Sequence, residues 1–414
     1  MNSFSQLFLA ALVAGLGLQI WLGLRHIRHV RAHRARVPRP FQGKVKPSAH
    51  RKAADYTVAK TRFGLVDGAI GALLLVGWTL GGGIDLLDGW LRDLHYGPLV
   101  TGTAFLIAAF LIMGLLDLPA SLFLTFDIEE RFGFNRTTPA LFAADLVKQL
   151  ALLLILGAPL AFAVLWLMQS AGGLWWFYVW LLWSGFTLLM LWAYPTLIAP
   201  LFNKFTPLKD AAVRKRVQAL LKRTGFKSRG VYVMDGSRRS AHGNAYFTGF
   251  GKAKRIVFFD TLLKSLREKE IEAVLAHELG HFKRRHVLKR IVLSFAASLA
   301  GLALLGWLIG QPWFYAGLGV SRPSTHVALL LFLMVGPVFG FFLQPLLAWG
   351  SRRHEFEADA FAAEQADARA LIDALVKLYQ DNASTLTPDP LHSVFYDSHP
   401  PAPARIRHLQ ALAS

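Results

Sequence analysis

The sequence predicts an all-α integral membrane protein: seven membrane-spanning helices with a small α+β segment at one face. Three observations carry this. Of 414 residues, 54% are hydrophobic and only 17% charged, where a soluble chain carries about 25% charge. The apolar residues fall into long runs near the ~20 residues that cross a bilayer as helix. The basic residues collect in alternate loops, the pattern of cytoplasmic connections.

About seven runs are long and apolar enough to span: Phe4–Leu24, Phe63–Ile84, Leu99–Phe123, Leu146–Gln169, Leu174–Tyr194, Val287–Ile309 and His326–Trp349. The first lacks a basic leader and a small-residue cleavage site, and a basic block follows it, so it reads as a retained anchor rather than a secretory signal. The stretch Arg25 to Arg62 holds about a dozen basic residues, whereas Asp85 to His95 is mostly acidic and the connections near Ala171–Gly173 and Gly310–Thr325 carry almost no charge. Regions after odd-numbered spans are basic. The amino terminus is therefore expected outside, with segments 200–286 and 350–414 in the cytoplasm.

The formal net charge of +19 raises nucleic acid as a partner. The cations, however, flank apolar runs and accompany no DNA-reading motif, which excludes that reading. The chain has no cysteine, so thiolate nucleophiles and Cys-ligated metals are excluded, and any metal must use His and carboxylate ligands.

Four regions follow: 1–199 with five spans, 200–286 outside the bilayer, 287–349 with the last two spans, and the tail 350–414. Within 200–286, Ala211–Thr224 reads as an amphipathic helix and VYVMDG as a short strand. NAYFTG and RIVFFD, joined through Gly249–Lys254, read as a β-hairpin. Leu266–Arg285 reads as a helix running into the sixth span, and the tail is expected to begin with one helix, Arg352–Tyr379.

His277, Glu278 and His281 form H-E-x-x-H within VLAHELGHF. On a helix, positions i and i+4 share a face about 6 Å apart along the axis, so both imidazoles can meet one zinc at about 2.0–2.1 Å. Glu278 lies a step round the helix, placed to act on a water at the metal as general base. Apolar neighbours Val274, Leu275, Leu279 and Phe282 argue against a solvated helix face. A catalytic zinc needs a third protein ligand. In SRRHEFEADAFA, Glu355 and Asp359 share a helical face; Glu355 can complete the set and Asp359 can accept a ligand histidine's second N–H. Glu357 points elsewhere. By spacing alone an ordinary charged helix explains this stretch equally well, and His354 and His286 are rival ligands.

The ordered blocks IEERFGFNRTTP (128–139), YPTLIAPLFNKFTPL (194–208), SAHGNAYFTGFGKAKRIVFFDTLL (240–263), AVLAHELGHF (273–282), SRRHEFEADAFA (351–362) and SHPPAPARI (398–406) resemble those of the type I CAAX prenyl protease family, membrane zinc endopeptidases that process prenylated proteins. The resemblance implies seven helices enclosing a chamber capped by a zincin-type metallopeptidase domain, with one zinc per chain. It assigns His277, His281 and Glu355 as zinc ligands, Glu278 as the catalytic glutamate and Asp359 as the partner of a ligand. It puts His399 and Arg405 near the substrate carbonyl and the metal.

Physical reading adds two expectations. His399 or Arg405 can donate to the oxyanion that develops at the scissile carbonyl, where an ordinary tail salt bridge is the plainer reading. Asn244, Ala245, Tyr246 and Phe247 lie on an edge strand to which an extended peptide can add, where a plain hairpin is the alternative. Asp67, Asp117 and Lys148 sit in or at the ends of spans, as for groups facing a wet cavity, with no role assigned. The substrate is expected to be a peptide or protein, membrane-associated or prenylated. The Ala-, Leu- and Arg-rich composition looks bacterial, pointing to an inner membrane with the site facing the cytoplasm. Two rivals are a quality-control zinc protease of the heat-shock type and a non-catalytic receptor or transporter with a vestigial zinc site.

Overall fold

The computed structural model describes residues 2–248 and 254–413. Among the described residues, seven helices are long and apolar enough to cross a membrane. In chain order the elements begin with α1 (Ser3–Ala32), α2 (Pro47–Trp78), a short α3 (Gly83–Arg92), α4 (Pro98–Glu129), α5 (Pro139–Ser170) and α6 (Gly172–Phe202). Proline occupies the first turn of α2, α4 and α5, where its missing N–H costs nothing and its φ suits the helix.

The second span differs from expectation. Its helix starts sixteen residues earlier than the apolar run, at Pro47, and stops at Trp78. Beyond a turn in which Gly82 takes a left-handed φ of 79°, Ile84 belongs to α3, whose Ile84, Leu87 and Leu91 are buried. The triple glycine at 81–83 ends the helix, since the left-handed turn is cheap only for glycine.

A mixed segment follows: β1 (Phe205–Pro207), α7 (Ala211–Thr224), β2 (Gly230–Met234), β3 (Ala245–Thr248), β4 (Arg255–Phe259), α8 (Asp260–Ser265) and α9 (Glu268–Lys283). Asp210 caps α7 by accepting from the N–H groups of Ala212 and Val213, and Gly225 ends it in the left-handed conformation, the usual stop. The sheet has four strands in the order β1-β2-β4-β3, with β2 and β4 parallel. The expected antiparallel pairing is present, Ala245 opposite Phe258 and Tyr246 opposite Val257; the connection 249–253 lies outside the described residues. β3 is an edge strand. α9 is shorter than expected, because Leu266 is extended and Glu270 accepts from the N–H of Arg267 to start the helix.

The chain ends with α10 (His286–Leu308), α11 (Pro312–Gly317), α12 (Thr325–Gln365), α13 (Ala368–Asp381), α14 (Pro390–Tyr396) and α15 (Ala402–Leu412). The single tail helix expected over Arg352–Tyr379 is two. The first half continues the seventh span, through a 3-10 turn at Phe341–Leu343, to Gln365, and the chain then breaks at Ala366 and Asp367. Asp367 caps α13 through the N–H groups of Arg369 and Ala370, a use of aspartate that favours a helix start over a helix interior.

Two cores result. One lies among the spans and includes Phe105, Leu165, Leu305 and Leu331; the other packs α7, α9 and α13 on the sheet through Val217, Leu220, Phe258, Leu275, Leu279 and Leu371. Between α2 and α4, a cavity of about 1100 Å³ is lined by Val66, Ile70, Leu74 and Met113 together with Asp67 and Asp117, so these two acids face a cavity. Lys148 instead lies 3.3 Å from Asp145.

Candidate metal centre

α9 and α12 build the site between them. They pack closely because Gly280 has no side chain: a Cβ there would lie 2.9 Å from the Cα of Ala358. This brings the last turns of α9 against the second half of α12, and His277, His281 and Glu355 converge. Their ligand atoms lie within 4.8 Å of one another.

The triangle is more specific than that limit. Nε2 of His277 and Nε2 of His281 are 3.3 Å apart. Oε2 of Glu355 is 3.4 Å from the first, and Oε1 is 3.3 Å from the second. Ligands of a tetrahedral zinc at 2.0–2.1 Å are separated by about 3.3–3.4 Å, a spacing that the two imidazole nitrogens have from each other and that each has from one oxygen of the Glu355 carboxylate. The residues fit the metal.

Each ligand is held from behind. Nδ1 of His277 lies 2.8 Å from Oδ1 of Asp359, and Asp359 accepts from Nε of Arg405 at 2.8 Å and from its terminal nitrogen at 2.5 Å. Arg405 also approaches Glu355 Oε2 at 3.6 Å. Burial and Arg405 work against a proton on His277, but the hydrogen bonds its ring donates to Asp359 and Glu355 overcome them and raise its pKa to about 9. Protons therefore compete with a metal at this ring. Asp359 and Glu355 hold the buried Arg405 guanidinium firmly charged, against the cost of burial.

Glu278 lies among these groups. Burial raises its carboxyl pKa, opposed by His277 and His281, while Glu355 adds to the rise. That is the environment of a carboxylate able to take and return a proton. His399 is exposed, with Nδ1 2.7 Å from Oε2 of Glu355. It lines a cavity of about 600 Å³ together with Tyr56, Lys60, His242 and Asn382. Arg405, by contrast, is buried and occupied with Asp359.

Phe247 packs on α9, and Tyr246 packs on the neighbouring strand β4. Phe247 meets Phe282, the residue after His281, at 5.3 Å; Tyr246 meets Phe259 at 6.2 Å. Asn244 is exposed and its carbonyl accepts from the N–H of Phe259.

Sequence reasoning missed two features. His286 and Glu357 join the site from behind His281, described below. The second is a tie between the block 128–139 and the block 240–263: Tyr56 donates to Glu129 Oε1 at 2.5 Å, His242 lies 3.4 Å from Glu129 Oε2, and its ring stacks on Phe134 at 4.2 Å. Both blocks had been singled out, but only the fold shows that they touch.

The fold and site define a multi-pass membrane metallopeptidase. Residues 26–204 match the description "CAAX prenyl protease N-terminal, five membrane helices", and residues 207–413 match peptidase family M48. The chain is 36% identical over 394 residues to the CAAX prenyl protease 1 homologue of Arabidopsis thaliana, covering 90% of this chain and 89% of that one. It is 34% identical over 359 residues to the human homologue, covering 77% and 76%. The crystal structure of S. mikatae Ste24p superposes with a TM-score of 0.91 at 28% identity, covering 99% of both chains. This chain belongs to the CAAX prenyl protease 1 family, a zinc metallopeptidase of the membrane. That full-length likeness supports this reading over both the heat-shock protease and the receptor or transporter.

Proposed function

We propose that the chain is an endopeptidase that cuts CAAX-type carboxy-terminal sequences of membrane-associated, prenylated substrates, using one zinc per chain. The observation that supports this best is the convergence of His277, His281 and Glu355, whose ligand atoms lie within 4.8 Å of one another, set in a chain whose full length resembles proteases bearing the CAAX name.

Zinc bound there supplies Lewis acidity to a water and to the scissile carbonyl. Glu278 takes a proton from the attacking water and returns it to the leaving amine. His399, exposed beside Glu355, donates to the carbonyl oxygen as charge develops. Arg405 keeps Asp359 ionised and in place, so Asp359 holds the His277 ring by its Nδ1–H. An extended substrate adds to the outer edge of β3 along Asn244–Phe247, its backbone bonded to the strand. The regions 1–199, 200–286, 287–349 and 350–414 divide the work between membrane and chemistry. The basic loops support a site that faces the cytoplasm. A bacterial cell membrane is proposed on composition alone, the relatives named above being plant and human.

The test is cleavage of a farnesylated CAAX peptide by the purified protein, with and without chelator. Zinc-dependent release of the last three residues supports the reading. Equal cleavage of unrelated unprenylated peptides would leave a general protease instead.

A further inference from the structure

His286 is the first residue of α10 and its side chain is only 1% exposed. It arrives there through Arg285, which adopts a left-handed φ of 56° between α9 and α10. That conformation costs a residue with a side chain about 1 kcal/mol or more and persists where the surroundings demand it. The turn sends His286 back toward the end of α9. Nδ1 of His286 then faces Nδ1 of His281 at 3.1 Å, and Nε2 of His286 lies 3.0 Å from Oε2 of Glu357. The ring of His354 stacks on His286 at 4.0 Å, nearly parallel at 14°.

Two imidazole Nδ1 atoms at this distance share one proton. Nε2 of His281 belongs to the metal triangle, so its Nδ1 carries the hydrogen. Nδ1 of His286 must then accept, which leaves the His286 hydrogen on Nε2, where Glu357 accepts it. One assignment satisfies all three groups. The resulting order is Glu357 carboxylate, His286, His281, metal site. Glu357 points off the helical face that carries Glu355 and Asp359, as periodicity requires, and meets His286 there.

We propose that His286 and Glu357 are positioning residues that fix the tautomer and ring plane of His281 for the metal. This rests on the zinc reading above. The residues 354–359 of α12 then serve both histidines: Asp359 directly for His277, and Glu357 through His286 for His281. His354 supports the His286 ring from its face. Partners of this kind raise the basicity of a ligand imidazole, and their loss costs about 10–100-fold in metal affinity.

The test uses the full-length protein in detergent, stripped of metal and titrated with zinc against a competing chelator. His286→Phe keeps a ring of similar size to stack on His354 but removes the acceptor. Glu357→Ala removes the last member at a partly exposed position, where folding is little at risk. Expected are a 10–100-fold weaker zinc affinity in His286→Phe, a smaller weakening in Glu357→Ala, and an altered visible spectrum of the cobalt-substituted protein in both. The melting temperature of the metal-free protein should stay near wild type. Zinc affinity within twofold of wild type in both folded variants overturns the proposal; if His286→Phe does not fold, Glu357→Ala decides alone. A wild-type protein that binds no zinc would instead overturn the metallopeptidase reading.

Discussion

Oδ1 of Asp359 lies 2.8 Å from Nδ1 of His277, and both groups are buried. A neutral ring with Nε2 free for a metal must keep its hydrogen on Nδ1, and Asp359 is the group that accepts it. Asp359→Asn keeps the shape and removes the charge that also holds Arg405. Zinc affinity should fall about 10–100-fold, measured by chelator competition. An unchanged affinity would show that Asp359 only packs.

The two site helices are in close contact at Gly280, where an added Cβ would meet backbone atoms of Ala358 at 2.9 and 3.1 Å. Backbone cannot rotate aside as a side chain can. Gly280→Ala should therefore spread α9 from α12, costing about 1–3 kcal/mol of stability and pulling Glu355 away from the histidines. Both a lower melting temperature and weaker zinc binding are expected. Loss of only one would separate packing from ligand geometry.

Glu270 is buried in α9, yet it accepts from Lys377 at 2.7 Å and from both the backbone and side chain of Arg267. Burial alone pushes its carboxyl up, but these bonds bring it below its ordinary 4.5. A folded-state pKa below the unfolded one adds stability above the unfolded value, lost as pH falls through the folded one. Glu270→Gln should cost about 2 kcal/mol at pH 7, since Arg267 is exposed and its charge is partly screened. The gap to wild type should narrow once pH drops below 4.5, as followed by thermal melts. A gap independent of pH would assign the effect to shape rather than charge.

His399 is the exposed polar group beside the triangle, 2.7 Å from Glu355. Its proposed work is in the transition state, so His399→Ala should lower kcat about 10²–10³-fold with little change in KM. A rise in KM alone would make it a binding residue.

Much of this was legible in the sequence. The spans were visible because twenty apolar residues have few other uses, and H-E-x-x-H because one helical turn places two imidazoles together. What was hidden depends on contacts between distant elements. The break at Asp367 could not be seen because apolar periodicity continues past it, and only the competing hydrogen bonds of the aspartate side chain end the helix. The amino-terminal extension of α2 to Pro47 is polar, so hydropathy is blind to it. The parallel pairing of β2 with β4 leaves no mark in either strand. His286 looked interfacial for a related reason: its partner Glu357 is seventy-one residues away, and what joins them is the left-handed turn at Arg285.

The central claim is that Glu278 moves the proton while His277, His281 and Glu355 hold the zinc. The most direct measurement pairs zinc content with peptidase rate in purified Glu278→Gln. The account predicts one zinc per chain, as in wild type, and a rate lower by about 10²–10⁴-fold. Full activity in that variant would contradict it.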